Sequence, residues 1–544
     1  MRWTDFERLL HPIWPSLSIV ASLAIVGYAI PRGLDLTDES LYVLLAQTDT
    51  PRSLSVIHTQ LLFQGLEAFT GITVGIQGLR IARLILLLCS MGWLTWVLSG
   101  TVESRKKTLF ALSALAFAFL QYTGNGRIFS LGYNAMNWAW GAWFIASWIR
   151  WTRDGKPWAP LGLGVALALM WITKFPSAVI MGGLGILLAV LHPNMDTRSI
   201  LRAVGLALIP FLGIMVLAPW GGHEVWPWSY LDTMASSQDD KHATDSLLLH
   251  SLVQIAKTHL PLLLIAILGF LTRRHPSKES LDHAVTFLLS AAFVGLASVD
   301  LLTLRNFRVG YWLLAASLLT WGLVRTEDRA HRLGGTLLLL APIGLTMGTD
   351  VGWPGHLMPI SGLMLMSAQW LSPTRWISLT SLAIPLLILP DIALRPYRQA
   401  AVTQATEDAF IHGTDESIEV SPATRHYLDS LGILTAPYRV PMIGSDRFYG
   451  EMLAHGPENV GTLLWSAESM SPNHTQDWVQ HDSLLFGLCN RTELSLFQEA
   501  LQPFQWELLG TVDRRPYLRQ TGRYGWGIPE QNAQVDVYLL TQAP

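Results

Sequence analysis

The chain is short of charge. Only 14% of its 544 residues are charged, against about 25% in soluble domains. The formal net charge is -3, so no basic surface for nucleic acid is expected. Cysteine is nearly absent, with Cys89 in an apolar run and Cys489 in a polar tail. Two thiols set in such different surroundings do not make a disulfide framework. There is no glycine-rich phosphate loop, no nucleotide fingerprint, no zinc-type His/Cys spacing and no Ser-His-Asp order. Chemistry on soluble nucleotide sugars is therefore disfavoured. The first apolar run lacks a small-residue cleavage site and reads as an uncleaved first span.

What is present is apolar sequence. Half of the residues are hydrophobic, and mean hydropathy is +0.33. A spanning helix needs roughly 20 mostly apolar residues. Runs of that kind fall at 13–30, 79–99, 108–122, 132–149, 158–173, 175–192, 200–219, 258–272, 282–302, 311–324, 333–348, 355–371 and 376–393. The pair 158–173 and 175–192 reads as two spans or one broken hairpin. Tryptophans such as Trp14, Trp151, Trp158, Trp220, Trp353 and Trp376 lie at the run ends, as an interfacial belt requires.

Charge in the loops sets the orientation. Alternate loops carry Arg105 to Lys107, Arg150 and Arg153, Arg198 and Arg202, Arg273 and Arg274, Arg325 to Arg332, and Arg375. The opposite loops carry Asp35, Asp38, Glu39, Glu224, Asp239, Asp240 and Asp350. Basic loops stay on the cytoplasmic side. The N-terminus is thus expected inside, and the tail from 394 outside, in a multi-pass inner or plasma membrane protein. The expected organisation is a membrane domain, 1–393, whose outer loop 31–78 carries juxtamembrane helices, followed by an extracytoplasmic α/β domain, 394–544. In the tail, polar helical stretches at 400–411, 421–431, 445–455 and 492–501 alternate with strand-like runs such as SLLFGL and VDVYLLT.

The first outer loop carries the chemistry. Asp35, Asp38 and Glu39 follow the first span directly, and Leu41, Leu44 and Leu45 continue as an amphipathic helix. Thr37 is a fitting N-cap, and carboxylates in a first turn suit the helix dipole; a capped interfacial helix explains this much by itself. A second amphipathic stretch at 55–70 brings His58, Gln60, Gln64 and Glu67. Structured loops of this length tend to be functional.

The run Asp38-Glu39-Ser40-Leu41-Tyr42 resembles the Asp-Glu-x-x-Tyr loop of GT-C membrane glycosyltransferases, in particular the protein O-mannosyltransferase and lipid A aminoarabinose transferase group. GITVGIQGLRIARL at 71–84, with Arg83 near the membrane edge, is similar to that group's entry into its second span. Leu41 stands where the aminoarabinose transferases carry Arg. The resemblance implies a GT-C-like α-helical polytopic fold of about 11–13 spans. It also implies transfer of a sugar from a polyprenyl-phosphate donor to a lipid, glycan or protein acceptor outside the membrane. Such a transfer needs a carboxylate for the acceptor hydroxyl and cations for the leaving phosphate. Asp38 is the first choice for the carboxylate, with Asp35 behind it and Glu39 beside it. The donor-phosphate candidates are Lys174, Arg83, Arg80, Arg305 and Arg308. Lys174 stands out because it lies between two apolar runs, where an ionisable side chain is costly. The substrate-binding candidates are Tyr42, His58, Arg127, Tyr133 and Asn134. His223, Glu224, Asp239, Asp240 and His242 match no metal spacing; a divalent metal is the disfavoured option, and no cofactor is expected. A flippase for lipid-linked sugars, or a non-catalytic subunit of envelope polysaccharide synthesis, are the competing readings.

Overall fold

The computed structural model describes residues 19–32, 38–47, 74–100, 131–217, 244–273, 278–303, 308–346, 357–371, 404–411, 416–444, 482–488, 494–502, 504–516 and 534–542, with a few isolated positions between them. The chain is an α-helical membrane protein with a small C-terminal sheet region. The helices, in order, are α1 (Ile19–Ala29), α2 (Asp38–Gln47), α3 (Ile76–Ser99), α4 (Tyr133–Asp154), α5 (Ala159–Val190), α6 (Thr197–Leu217), α7 (Thr244–Leu271), α8 (Lys278–Thr303), α9 (Arg308–Arg325), α10 (Arg329–Thr346) and α11 (Leu357–Leu371). Among the described residues, four helical stretches are long and apolar enough by length and composition to cross a membrane: α3, α5 taken end to end, α6 and the Glu279–Val299 stretch of α8. Their outward faces are what a bilayer requires. Leu201, Ile209, Val216 and Leu217 on α6 are all more than half exposed, a surface that water would penalise. The expected runs 108–122 and, in the main, 376–393 lie outside the described residues.

Helix α5 is a hairpin. Lys174 breaks it with extended backbone (φ -162°, ψ 83°), two residues before Pro176. Gly162 in its first half packs on Ser147 of α4, while Gly185 in its second half packs on Phe144 and Trp148 of the same helix. Trp148 Nε1 donates to the Gly185 carbonyl at 2.9 Å. In one straight helix those two glycines would be about 34 Å apart, so they reach the same level of α4 only because the chain reverses at Lys174.

One end of the helix array gathers the basic loops. Arg153 donates to the Val97 carbonyl, Arg329 to the Leu191 carbonyl, and Arg325 to Asp282 and the Thr272 carbonyl. The opposite end holds the Lys174 reversal, the C-terminus of α10 and helix α2. The main apolar core runs between them, with Trp148, Trp312 and Trp321 fully buried.

The C-terminal region contains β1 (Glu407–Ile411), β2 (Glu416–Val420), α12 (Pro422–Thr435), β3 (Met442–Gly444), β4 (Ser483–Leu488), α13 (Leu494–Ala500), β5 (Phe504–Asp513) and β6 (Gln534–Gln542). The larger sheet has the order β3-β4-β6-β5, with β3 parallel to β4 and the rest antiparallel. The 400–411 stretch, expected to be helical, instead ends in strand β1, antiparallel to β2. The cause is tertiary. The β1–β2 pair docks on the exit of α1, where Glu419 N donates to the Pro31 carbonyl at 2.9 Å and Arg32 pairs with Glu419 at 3.0 Å. One apolar cluster then joins Ile418, Val420, Tyr427 and Val537 to Val43, Leu44, Ile76 and Leu79. The region beyond 394 thus shares a core with the helices that carry the acidic loop.

Candidate functional site

Helix α2 opens at Asp38, directly behind the α1 exit. Its position is fixed by Glu39. That carboxylate is fully buried and meets Arg80 of α3 in a two-pronged pair, Nε to Oε1 at 2.8 Å and Nη2 to Oε2 at 2.7 Å. The remaining prong, Nη1, donates to the carbonyls of Ala29, Ile30 and Arg32 at 3.2, 2.6 and 2.8 Å. These carbonyls belong to the end of α1, where no further helical turn supplies donors. A planar guanidinium suits this task, since it serves a carboxylate and a row of carbonyls at once. Three elements, α1, α2 and α3, are thereby stapled at one point.

The N-terminal turn of α4 extends this cluster. Gly132, just before α4, lies against the Tyr42 ring so closely that a Cβ would come within 2.5 Å of it. The Tyr42 and Tyr133 rings meet edge to face at 6.4 Å. One helical turn on, Asn137 is fully buried. Its amide nitrogen donates to Ser177 Oγ at 3.1 Å and to the Leu345 carbonyl at 2.9 Å. Lys174 Nζ donates to the same carbonyl at 3.3 Å. Among the described residues Asn137 Oδ1 is buried without a hydrogen-bond partner. Asn137 stands about 6 Å of helix rise along α4 from Tyr133, and Lys174, only 1% exposed, shares the Leu345 carbonyl with it.

The expected site residues divide accordingly. Glu39, Tyr42, Arg80, Arg83, Tyr133, Asn134 and Lys174 all lie at the end of the array opposite the basic loops, in or beside this cluster. Arg83 is as buried as Arg80, one turn further along α3. Asn134 is half-buried, and its neighbour Asn137 carries the polar contacts instead. Asp38 and Arg308 begin helices, but their side chains lie outside the described residues, as do Asp35, His58, Arg127 and Arg305 altogether. The metal-like group at 223–242 lies there too. Ser177 and the Leu345 carbonyl were not candidates from sequence. Ser177 follows Lys174 in Lys-Phe-Pro-Ser, and that helix break was its available signal.

The fold and the cluster define a class: a polytopic helical membrane protein with an acid-led helix and buried cations at one end of its helix array. No family model matches the chain, and no curated protein does. Among solved structures it is similar to ArnT from Cupriavidus metallidurans in the apo state, at 11% identity and a TM-score of 0.43 over 97% of each chain. It is similar also to ArnT from the same organism bound to undecaprenyl phosphate, at 12% identity and a TM-score of 0.43, covering 97% of this chain and 98% of that one. A likeness of this degree says nothing about chemistry, which has to come from the residues.

Proposed function

We propose that the chain is an integral membrane glycosyltransferase that moves a sugar from a polyprenyl-phosphate donor to an acceptor at the extracytoplasmic face. The observation that carries this reading is the linkage just described: the helix headed by Asp38 is clamped by Glu39 and Arg80, and contacts through Tyr42 the start of α4, where Asn137, one turn on, shares the Leu345 carbonyl with buried Lys174. A carboxylate and a desolvated cation near one membrane face are what attack on a lipid-phosphate sugar needs. The Asp-Glu-x-x-Tyr resemblance points the same way.

In this reading Asp38 takes or orients the proton of the acceptor hydroxyl, with Asp35 in reserve. The hydroxyl oxygen attacks the anomeric carbon, and the bond from that carbon to the phosphate oxygen breaks. Lys174 and Arg83 neutralise the phosphate that leaves, and Arg305 and Arg308 are further contacts for it. Tyr42, Tyr133 and Asn134, with His58 and Arg127, line the sugar and acceptor. Glu39 and Arg80, already engaged with each other, hold Asp38 in place rather than touch substrate. No metal takes part. The cytoplasmic placement of the basic loops and the extracytoplasmic placement of the sheet region belong to the same proposal.

Lys174 provides the test of donor recognition. Lys174→Ala is expected to weaken binding of undecaprenyl phosphate at least tenfold, the effect of losing one buried charged contact, while leaving acceptor KM nearly unchanged. Unchanged lipid-phosphate affinity in a folded variant would remove Lys174 from the site.

A further inference from the structure

At the basic end of the array, far from the acidic cluster, a groove of about 470 Å³ opens between α7, α9 and α10. That size falls within the range of ligand pockets, roughly 300–1,000 Å³. One wall is Ile267, Phe270 and Leu271 of α7, and another is Leu323 and Val324 of α9. Arg273, in the turn after α7, and Arg332 of α10 also line it. The three α7 side chains are 46%, 68% and 74% exposed. The exposed apolar strip continues up α7 through Leu264, Leu263 and Leu260, along the direction an acyl chain would take.

Among the described residues, no Asp or Glu lines the groove. Arg332 Nε is buried without a hydrogen-bond partner among the described residues. Its neighbour Thr336 spends its hydroxyl on the Arg332 carbonyl at 2.8 Å. Asp282 is occupied by Arg325 at 2.7 Å and by Trp321 Nε1 at 3.1 Å. A guanidinium with no carboxylate partner among the described residues is costly to bury, and a phosphodiester in the groove supplies a counter-charge to Arg332 and Arg273. A free anion in water gains nothing from the wide apolar walls, whereas a lipid uses both walls and cations. Basic pockets between helices on this side of a membrane suit anionic headgroups.

We infer that this groove binds an anionic glycerophospholipid of the cytoplasmic leaflet, its phosphate between Arg273 and Arg332 and one acyl chain along α7. The site is separate from the proposed transfer chemistry and is read by binding alone. The experiment is native mass spectrometry of the full chain in detergent with dioleoyl-phosphatidylglycerol or dioleoyl-phosphatidylcholine added. The wild type should retain phosphatidylglycerol in roughly tenfold preference. Arg273→Gln/Arg332→Gln should abolish that preference, and Arg273→Lys/Arg332→Lys should keep most of it. Arg198→Gln/Arg202→Gln, changed on the exposed first turns of α6, should leave it intact. Equal retention of the two lipids by the wild type would overturn the inference, as would a preference that survives the double glutamine change. So would displacement by equimolar inorganic phosphate, which would mark a small-anion site. If the glutamine variant does not fold, deacylated glycerophosphoglycerol decides on the wild type: competition equal to that of the intact lipid would refute the acyl-chain contact.

Discussion

At the residue scale the account turns on the Glu39–Arg80 pair. A carboxylate and a guanidinium that are both fully buried repay their desolvation only when each prong is satisfied. Here the carboxylate takes two prongs and three backbone carbonyls take the third. Removing one partner should therefore cost much more than removing both. Arg80→Ala is expected to lose about 3–5 kcal/mol, read as a large drop in the melting temperature in detergent. Glu39→Gln/Arg80→Gln should lose less than the sum of the two single changes. Strict additivity would show that the pair is not coupled. The sequence offered Glu39 as a catalytic neighbour and Arg80 as a phosphate contact because both sit at a membrane edge. Their partnership spans 41 positions, and no local period encodes such a distance. Lys174 was legible by contrast, since a lysine between two apolar runs is costly wherever it lies.

At the scale of elements, the reversal at Lys174 shows how much a helix break can decide. Pro176 and the lysine mark it in sequence, and packing of both halves on α4 completes it. Strand β1 is the opposite case. Its polar 400–411 stretch has helical character, but pairing with β2 and docking on Pro31 and Arg32 override local preference. The far end of α4 gives a measurable handle. Arg153 donates to Asp154 at 2.6 Å while also reaching the carbonyl at the end of α3. That hydrogen bond, opposed by partial burial and helped by the charges of Arg153 and Arg150, holds the Asp154 carboxyl below its ordinary value. A lowered carboxylate pKa means that the unfolded chain binds the proton more readily. Asp154 therefore adds stability above the usual carboxylate range, and this is lost as pH falls below about 4. Asp154→Asn should flatten the melting temperature between about pH 5 and 3 relative to the wild type. An unaltered slope would show that the pair does not contribute.

At the scale of the whole molecule, the alternation of basic and acidic loops made the two ends of the array legible before any packing was known. The structure gathers Arg153, Arg325 and Arg329 at one end and the Glu39 cluster at the other. What the alternation left hidden is that the C-terminal sheet region shares an apolar cluster with α2 and α3. Contacts between Val537 or Tyr427 and the α2 surroundings join residues hundreds of positions apart, and composition shifts mark only the boundary. The no-metal reading is tested at this scale as well: transfer by the purified protein should survive excess EDTA, and abolition of transfer restored by a divalent cation would overturn it.

The most direct measurement is transfer of radiolabelled sugar from polyprenyl-phosphate donors in membranes carrying the wild type or Asp38→Asn, with undecaprenyl-phosphate binding measured in parallel. Loss of the catalytic carboxylate should lower turnover by about 10²–10⁴-fold while lipid-phosphate binding persists. Wild-type turnover in the Asp38→Asn protein, with Asp35 intact, would contradict the account.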